Sequence, residues 1–216
     1  MNWKYLRHCA WLDTRARFVA GTPRGGSLLD LGSSDGATLS HMGELRPDLK
    51  LFASDLAGQP EKYPKRCAFQ RADFERDSLQ WPDQSMDTIT CMQLLEHLHD
   101  PTHLIREVAR LLRPGGRAFF ETPHPKSLNL PSPPCQVKFT LNFYDDPTHT
   151  KVVKMEDLAS LVQQSGLQVQ STGISRNWLF AMSHPFFVFM PPSRKKFTAY
   201  VHWLGWSAFL IAKRRQ

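Results

Sequence analysis

Hydrophobic positions along the chain fall into short continuous runs separated by stretches with helical spacing. Ser27-Leu-Leu-Asp-Leu31 is one such run; it ends at Gly32 and reads as a strand buried on both faces. Residues 51–54, 67–70, 86–92 and 117–121 repeat that pattern. Between them, residues 37–45 and 101–112 carry apolar side chains at helical period. In the second of these, Leu104, Ile105, Val108, Leu111 and Leu112 share one face. Residues 2–20 are predicted to form a helix, broken by Gly21-Thr-Pro-Arg-Gly-Gly26. Pro47 stops one helix, and Pro114-Gly-Gly116 turns the chain into the fifth strand. A later helix at 156–164 closes at Gly166, with strands following at 167–171 and 207–212. Strands alternating with helices mean βαβ units: an α/β fold with a mostly parallel sheet covered on both faces. Two segments interrupt the rhythm. Residues 124–152, rich in Pro, Asn and aromatics, read as an inserted loop or hairpin. Residues 177–204 are a second insertion, too apolar for an ordinary loop. The 216 residues suit a single domain spanning 1–216.

Composition removes several classes. At 41% hydrophobic and 22% charged, the chain is no disordered polyampholyte. Cys9, Cys67, Cys91 and Cys135 form no C-x-x-C pair, which excludes a zinc ribbon or a disulfide miniprotein. No stretch of about 18 uncharged apolar residues predicts a spanning helix, and the first residues lack an apolar signal core. The expected setting is the cytoplasm, with the inner membrane face as a peripheral variant. The net charge of +7 is unevenly placed. Residues 158–216 hold Arg176, Arg194, Lys195, Lys196, Lys213, Arg214 and Arg215 and no acid, so the preceding residues balance. That segment is also dense in aromatics, among them Trp178, Phe186, Phe187, Phe189, Trp203 and Trp206. A basic, aromatic, acid-free segment points to an anionic partner, lipid headgroups or nucleic acid.

Candidate chemistry gathers at strand ends. In Leu28-Leu-Asp-Leu-Gly-Ser-Ser-Asp-Gly36, Gly32 and Gly36 let a ligand approach the backbone, and Asp30 can accept from a ligand amine. The spacing is close to a dinucleotide loop. Ser34 stands where the middle glycine would meet a pyrophosphate, which favours a ligand without phosphates. Asp55, at the end of the second strand, is placed for a ribose diol. Ala72-Asp73-Phe74 could pair an acid with an adenine amino group and set Phe74 near the ring. Downstream stand Met86-Asp-Thr-Ile-Thr-Cys-Met-Gln-Leu-Leu-Glu-His-Leu-His-Asp-Pro101 and Leu111-Leu-Arg-Pro-Gly-Gly-Arg117. Together these strings resemble class I S-adenosylmethionine-dependent methyltransferases. The resemblance implies a Rossmann-like seven-stranded sheet with an antiparallel last strand and S-adenosyl-L-methionine as cofactor. It assigns Asp30, Gly32, Ser34 and Gly36 to the cofactor loop and matches Asp55 and Asp73 to the family's acids after strands two and three; Leu56 and Phe74, beside these acids, are counted with the cofactor-binding residues. It sets the segment from Gln93 near the cofactor's methionine end.

The acceptor is less legible. Glu96-His97 is similar to part of the metal-binding E-x-x-E-H of RNA 3′-terminal 2′-O-methyltransferases, but Gln93 replaces the first carboxylate. Two ligands on one turn make no secure Mg²⁺ site, so no metal is expected. Methylating a hydroxyl requires removing its proton, and His149, in Asp146-Pro-Thr-His149, is the first candidate base. Tyr144 or Asp146 would orient it, and His124 is the second candidate. Alternatively Pro147-Thr-His149 merely turns the chain, and proximity alone drives transfer. The second insertion reads as an interfacial anchor (residues 178–206), a substrate cap or a homodimer contact. The expected function is O-methylation of a small-molecule, glycan or lipid-linked acceptor. An RNA methyltransferase, or a cofactor-binding protein without catalysis, are the alternatives; nucleic acid is the weaker partner because no RNA-binding strand motif accompanies the aromatics.

Overall fold

The computed structural model describes residues 3–134 and 139–216; Cys135 lies outside them. The chain runs α1 (Thr14–Ala20), β1 (Ser27–Leu31), α2 (Ala37–Leu45), β2 (Lys50–Asp55), β3 (Ala68–Arg71), β4 (Met86–Met92), α3 (Thr102–Leu111), β5 (Leu112–Pro123), α4 (Met155–Gln164), β6 (Leu167–Ser175), α5 (Trp178–Phe187), α6 (Arg194–Leu204) and β7 (Ser207–Arg214). One seven-stranded sheet has the order β3-β2-β1-β4-β5-β7-β6. Only β7 runs against its neighbours, pairing antiparallel with β5 and β6. The seven-stranded α/β expectation therefore holds, last strand included.

Adjacent residues in the inner strands face opposite layers. Leu29, Ile89 and Phe120 pack against α3 and α4 on one side, while Leu28, Ala53 and Phe119 pack against α1 and α2 on the other. No helix forms within the β3–β4 connection among the described residues. Arg110 ties that loop down instead, donating to the carbonyls of Leu79 and Trp81 and pairing with Asp83.

Four sequence expectations need adjustment. The predicted helix over 2–20 is helical only from Thr14, after two 3-10 turns. Extended backbone at Asp13 starts it there: its carboxylate accepts from the Arg15 and Ala16 N–H groups. Strand β5 begins before the Pro114-Gly-Gly116 turn, because Met86 pairs with Leu112 and Thr88 with Arg117, leaving 113–116 as a bulge. Strand β6 continues to Ser175, four residues past the predicted end, because the β7 ladder supplies partners to a locally weak run. Within 124–152 the described residues form 3-10 turns at Pro125–Asn129 and Phe143–Asp145, with no hairpin strand. The second insertion is a helical pair, α5 and α6, joined through Pro191-Pro192.

Candidate functional site

The strand order reverses at β1, which lies between β2 and β4. Ligands in open parallel sheets bind outside the carboxyl ends of the strands at such a point. Three loop residues here adopt left-handed backbone: Gly32 (φ 75°), Ser34 (φ 47°) and Gly36 (φ 73°). A side chain at Gly36 would also collide with the Tyr63 ring. The non-glycine Ser34 is held from both sides. Its N–H donates to Asp55 Oδ2 at 2.8 Å, and its carbonyl accepts from the Tyr63 hydroxyl at 2.8 Å. Asp55 Oδ1 accepts from Ala57 N–H at 2.8 Å, which fixes the turn beyond β2. Sequence reasoning missed Tyr63, one aromatic in a polar loop with nothing to mark it.

The loop walls a cleft of about 230 Å³, with Arg15, Asp30, Gly32, Ser34, Met92 and Gln93 among its residues. Asp30 is 3% exposed, and its Oδ1 accepts from the Thr90 hydroxyl at 2.7 Å. Burial pushes its carboxyl up to about 7, partly offset by Thr90 and reinforced by the Asp55 charge. A buried carboxylate with one neutral partner, facing a cleft, fits the ammonium of an amino-acid ligand. Of the other predicted cofactor residues, Leu56 is exposed at the surface. Asp73 accepts from Glu75 N–H at 3.0 Å and lies 3.8 Å from Arg76, outside the cleft wall. Phe74 is 5% exposed and packs in the core with Ala72 and Leu79.

A second cleft of about 200 Å³ shares Arg15 and Gln93 with the first. Thr198, Val201 and His202 of α6 form one wall, and Phe139 and Trp206 stand among the rest. The shared residues belong to a buried polar network. Arg15 pairs through both its Nε and Nη2 with the fully buried Glu121. Gln93 Nε2 donates to Glu121 at 3.0 Å and to Ser207 Oγ at 3.2 Å. Burial alone would raise the Glu121 carboxyl; Arg15 outweighs it and holds Glu121 below its usual range. His202 Nδ1 accepts from Asn177 N–H at 3.1 Å, and burial holds the ring down to about 4. His202 is therefore neutral, with its proton on Nε2. Sequence reading singled out none of Arg15, Glu121 and His202; an acid closing the apolar run of β5 was the available signal for Glu121.

A third group lies just beyond Gln93. The Glu96 carboxylate is buried, and neither oxygen has a hydrogen-bond partner among the described residues. Burial pushes it up to about 8. The 124–152 insertion brings His149 against it: ligand-capable atoms of Glu96, His97 and His149 all lie within 4.8 Å of one another. His149 Nδ1 donates to the Phe143 carbonyl at 2.6 Å, and His97 Nδ1 faces the Thr148 carbonyl at 3.3 Å. Both rings thus keep a free lone pair on Nε2. The cluster could take a proton or hold a divalent cation; spacing alone showed two of its three donors. His124 differs, since its Nδ1 accepts from Lys126 N–H at 3.1 Å, so its neutral ring carries the proton on Nε2.

Residues 3–172 match a family described as a methyltransferase domain. Similar proteins include the ubiquinone biosynthesis O-methyltransferase of Ralstonia nicotianae, 33% identical over 106 residues, covering 46% of this chain and 44% of that one. The enzyme of the same name from Thiobacillus denitrificans is 28% identical over 176 residues, covering 77% of this chain and 73% of its own. Among solved structures, an S-adenosylmethionine-dependent methyltransferase from Mesorhizobium loti superposes with a TM-score of 0.65 at 17% identity, covering 97% of this chain and all of that one. One from Archaeoglobus fulgidus gives 0.61 at 17%, covering 98% and 94%. These two likenesses concern the fold. With the matched residues reaching from the first turns through most of β6, the chain belongs to the class I S-adenosylmethionine-dependent methyltransferase family.

Proposed function

We propose that this protein methylates an oxygen of a small-molecule, glycan or lipid-linked acceptor, with His149 as the base. The observation that carries the reading is the pair of adjoining clefts with Arg15 and Gln93 as their common wall. One cleft suits the donor and the other the acceptor. Bound S-adenosylmethionine supplies an electrophilic methyl group on a sulfonium. The residues present fit it: Asp30 would hold its amino group, Asp55 its ribose, and the left-handed loop its close approach. The name of the relatives supports oxygen as the acceptor atom. The second cleft, at about 200 Å³, is smaller than the roughly 300–1,000 Å³ that encloses a whole ligand. It suits the reacting end of a longer acceptor.

The rest of the chemistry belongs to side chains of this chain. His149 lines neither cleft, so the acceptor would have to extend past Gln93 to reach it; the Phe143 carbonyl holds the His149 proton on Nδ1, which leaves Nε2 to take the proton of the acceptor hydroxyl. α6 lines the second cleft through Thr198, Val201 and His202. Gln93, held by Glu121 and Ser207, keeps the wall between the clefts fixed. Free thiols at Cys9, Cys67 and Cys91 support a cytoplasmic setting.

Transfer of labelled methyl from S-adenosylmethionine to lipid, glycan and small-molecule extracts tests the activity. His149→Ala should lower turnover about a hundredfold with cofactor affinity nearly unchanged. Unchanged turnover would make His149 structural and leave positioning as the source of rate.

A further inference from the structure

We propose that the outer face of the α5–α6 pair docks on an anionic membrane surface. This goes beyond the methyl-transfer reading and does not depend on it. In α5 only Ala181 is buried, and in α6 only Ala199. The outward side chains are large and apolar: Met182 is 64% exposed, Phe186 79% and Phe189 91%, with Trp178, Met190 and Trp203 about half exposed. Outside this pair, only Tyr5, Trp11, Leu56 and Tyr144 are comparably exposed large apolar side chains among the described residues. Large apolar side chains exposed together on one helical pair mark an interaction surface.

Charge decides between the occupants. From residue 158 to 216 there is no Asp or Glu. Arg194 and Lys195 are exposed at the start of α6, a few residues beyond Phe189 and Met190. Lys196 is engaged elsewhere: its Nζ donates to the Val188 and Met190 carbonyls at 2.8 Å and 2.7 Å and fastens the turn between the helices. The cations available to a headgroup are therefore Arg194 and Lys195. A second copy seated face to face would bring these cations together with no acid in the segment to pair them. Lipid phosphates complement them, and aromatic and aliphatic side chains enter the headgroup boundary. No helix of the described residues is long and apolar enough to cross a membrane, so the contact is interfacial. α6 also lines the second cleft, through Thr198, Val201 and His202.

The test is co-sedimentation of the full chain with vesicles of phosphatidylcholine alone, and of phosphatidylcholine mixed with an equal amount of phosphatidylglycerol. The protein should pellet with the anionic vesicles only, and less as salt rises. Arg194→Glu combined with Lys195→Glu should cut partitioning about thirtyfold or more. Phe186→Ser combined with Phe189→Ser should abolish it even at low salt. Cofactor affinity should stay unchanged in both variants, which shows that they fold. Protein left in the supernatant with every mixture overturns the proposal, as does vesicle binding that both variants retain. A concentration-dependent dimer in sedimentation velocity, broken by the Phe changes, would assign the face to a second copy instead.

Discussion

At the scale of single residues, the end of β1 and the loop after it concentrate conformations and charges that a folded protein normally avoids. Ser34 sits in left-handed backbone that glycine adopts more readily. Asp55 and Tyr63 together hold it there. Asp55→Ala should weaken S-adenosylmethionine binding about tenfold or more, the value of one charge-assisted hydrogen bond; calorimetry showing unchanged affinity would remove Asp55 from the site. Asp30 makes a second prediction through its pH dependence. Its carboxyl is raised to about 7 in the folded chain against about 4 when unfolded. Between those values the folded state holds the extra proton, so stability from this group falls as pH rises from about 4 through 7. The full effect is on the order of 4 kcal/mol at most. Asp30→Asn should flatten that slope in urea titrations run across the window. A cationic amine favours ionised Asp30, so cofactor binding below pH 7 should release a proton. Calorimetry in buffers of differing ionisation enthalpy would show it, and heats independent of the buffer would disprove it.

At the scale of elements, one ion pair joins parts of the fold that are far apart in sequence. Arg15 comes from α1, Glu121 from β5 and Gln93 from the end of β4. Asp13 also accepts from Asn177 Nδ2 at 2.8 Å and links the start of α1 to the start of α5. Removing one partner of a buried pair leaves an uncompensated charge, which costs about 3–5 kcal/mol, whereas replacing both with apolar side chains is often near neutral. Arg15→Ala should therefore destabilise toward the lower end of that range, since its side chain is 30% exposed. Arg15→Met with Glu121→Met should recover most of the loss. Urea unfolding decides; a loss under about 1 kcal/mol for Arg15→Ala would mean that Gln93 and water satisfy Glu121 without it.

At the scale of the whole molecule, the sheet order and the charge distribution have separate consequences. Parallel strands on both sides of β1 bring Gly32, Asp55 and Gln93 to one edge, although they are far apart along the chain. The basic C-terminal segment is partly engaged inside the fold. Arg214 donates to the carbonyls of Ala109, Arg110 and Leu112 at the end of α3, where a cation complements the helix dipole. Arg176 donates to the carbonyls of His202 and Trp203 and closes the end of α6. The formal charge of the segment thus overstates what faces a partner, and Arg194, Lys195 and Arg215 remain exposed.

Strand positions and the acids at strand ends were readable before folding, because both depend on local order. A strand buried on both faces must be a short apolar run, and Ser27–Leu31 and Met86–Met92 appear in the structure with the predicted bounds. The residue after such a run in a parallel sheet lies at the ligand edge wherever its neighbours are, which is why Gly32 could be named from its own string, whereas Gln93 was named through the family resemblance. The burial of Phe74 beside Ala72 and Leu79 was decided by packing, since a hydrophobic core close at hand takes an aromatic ring. The Arg15–Glu121 pair, the approach of His149 to Glu96, and the use of Arg214 and Lys196 on carbonyls have no local signature. Each joins residues from different elements or turns, and no spacing rule encodes which loop returns to which strand end. The helical pair α5–α6 lies between these cases. Its composition announced an apolar, basic segment, but only tertiary structure set Thr198, Val201 and His202 of α6 along the second cleft and the large apolar side chains outward. Local chemistry determines what a segment can bury, and the topology of the sheet determines what it is buried against.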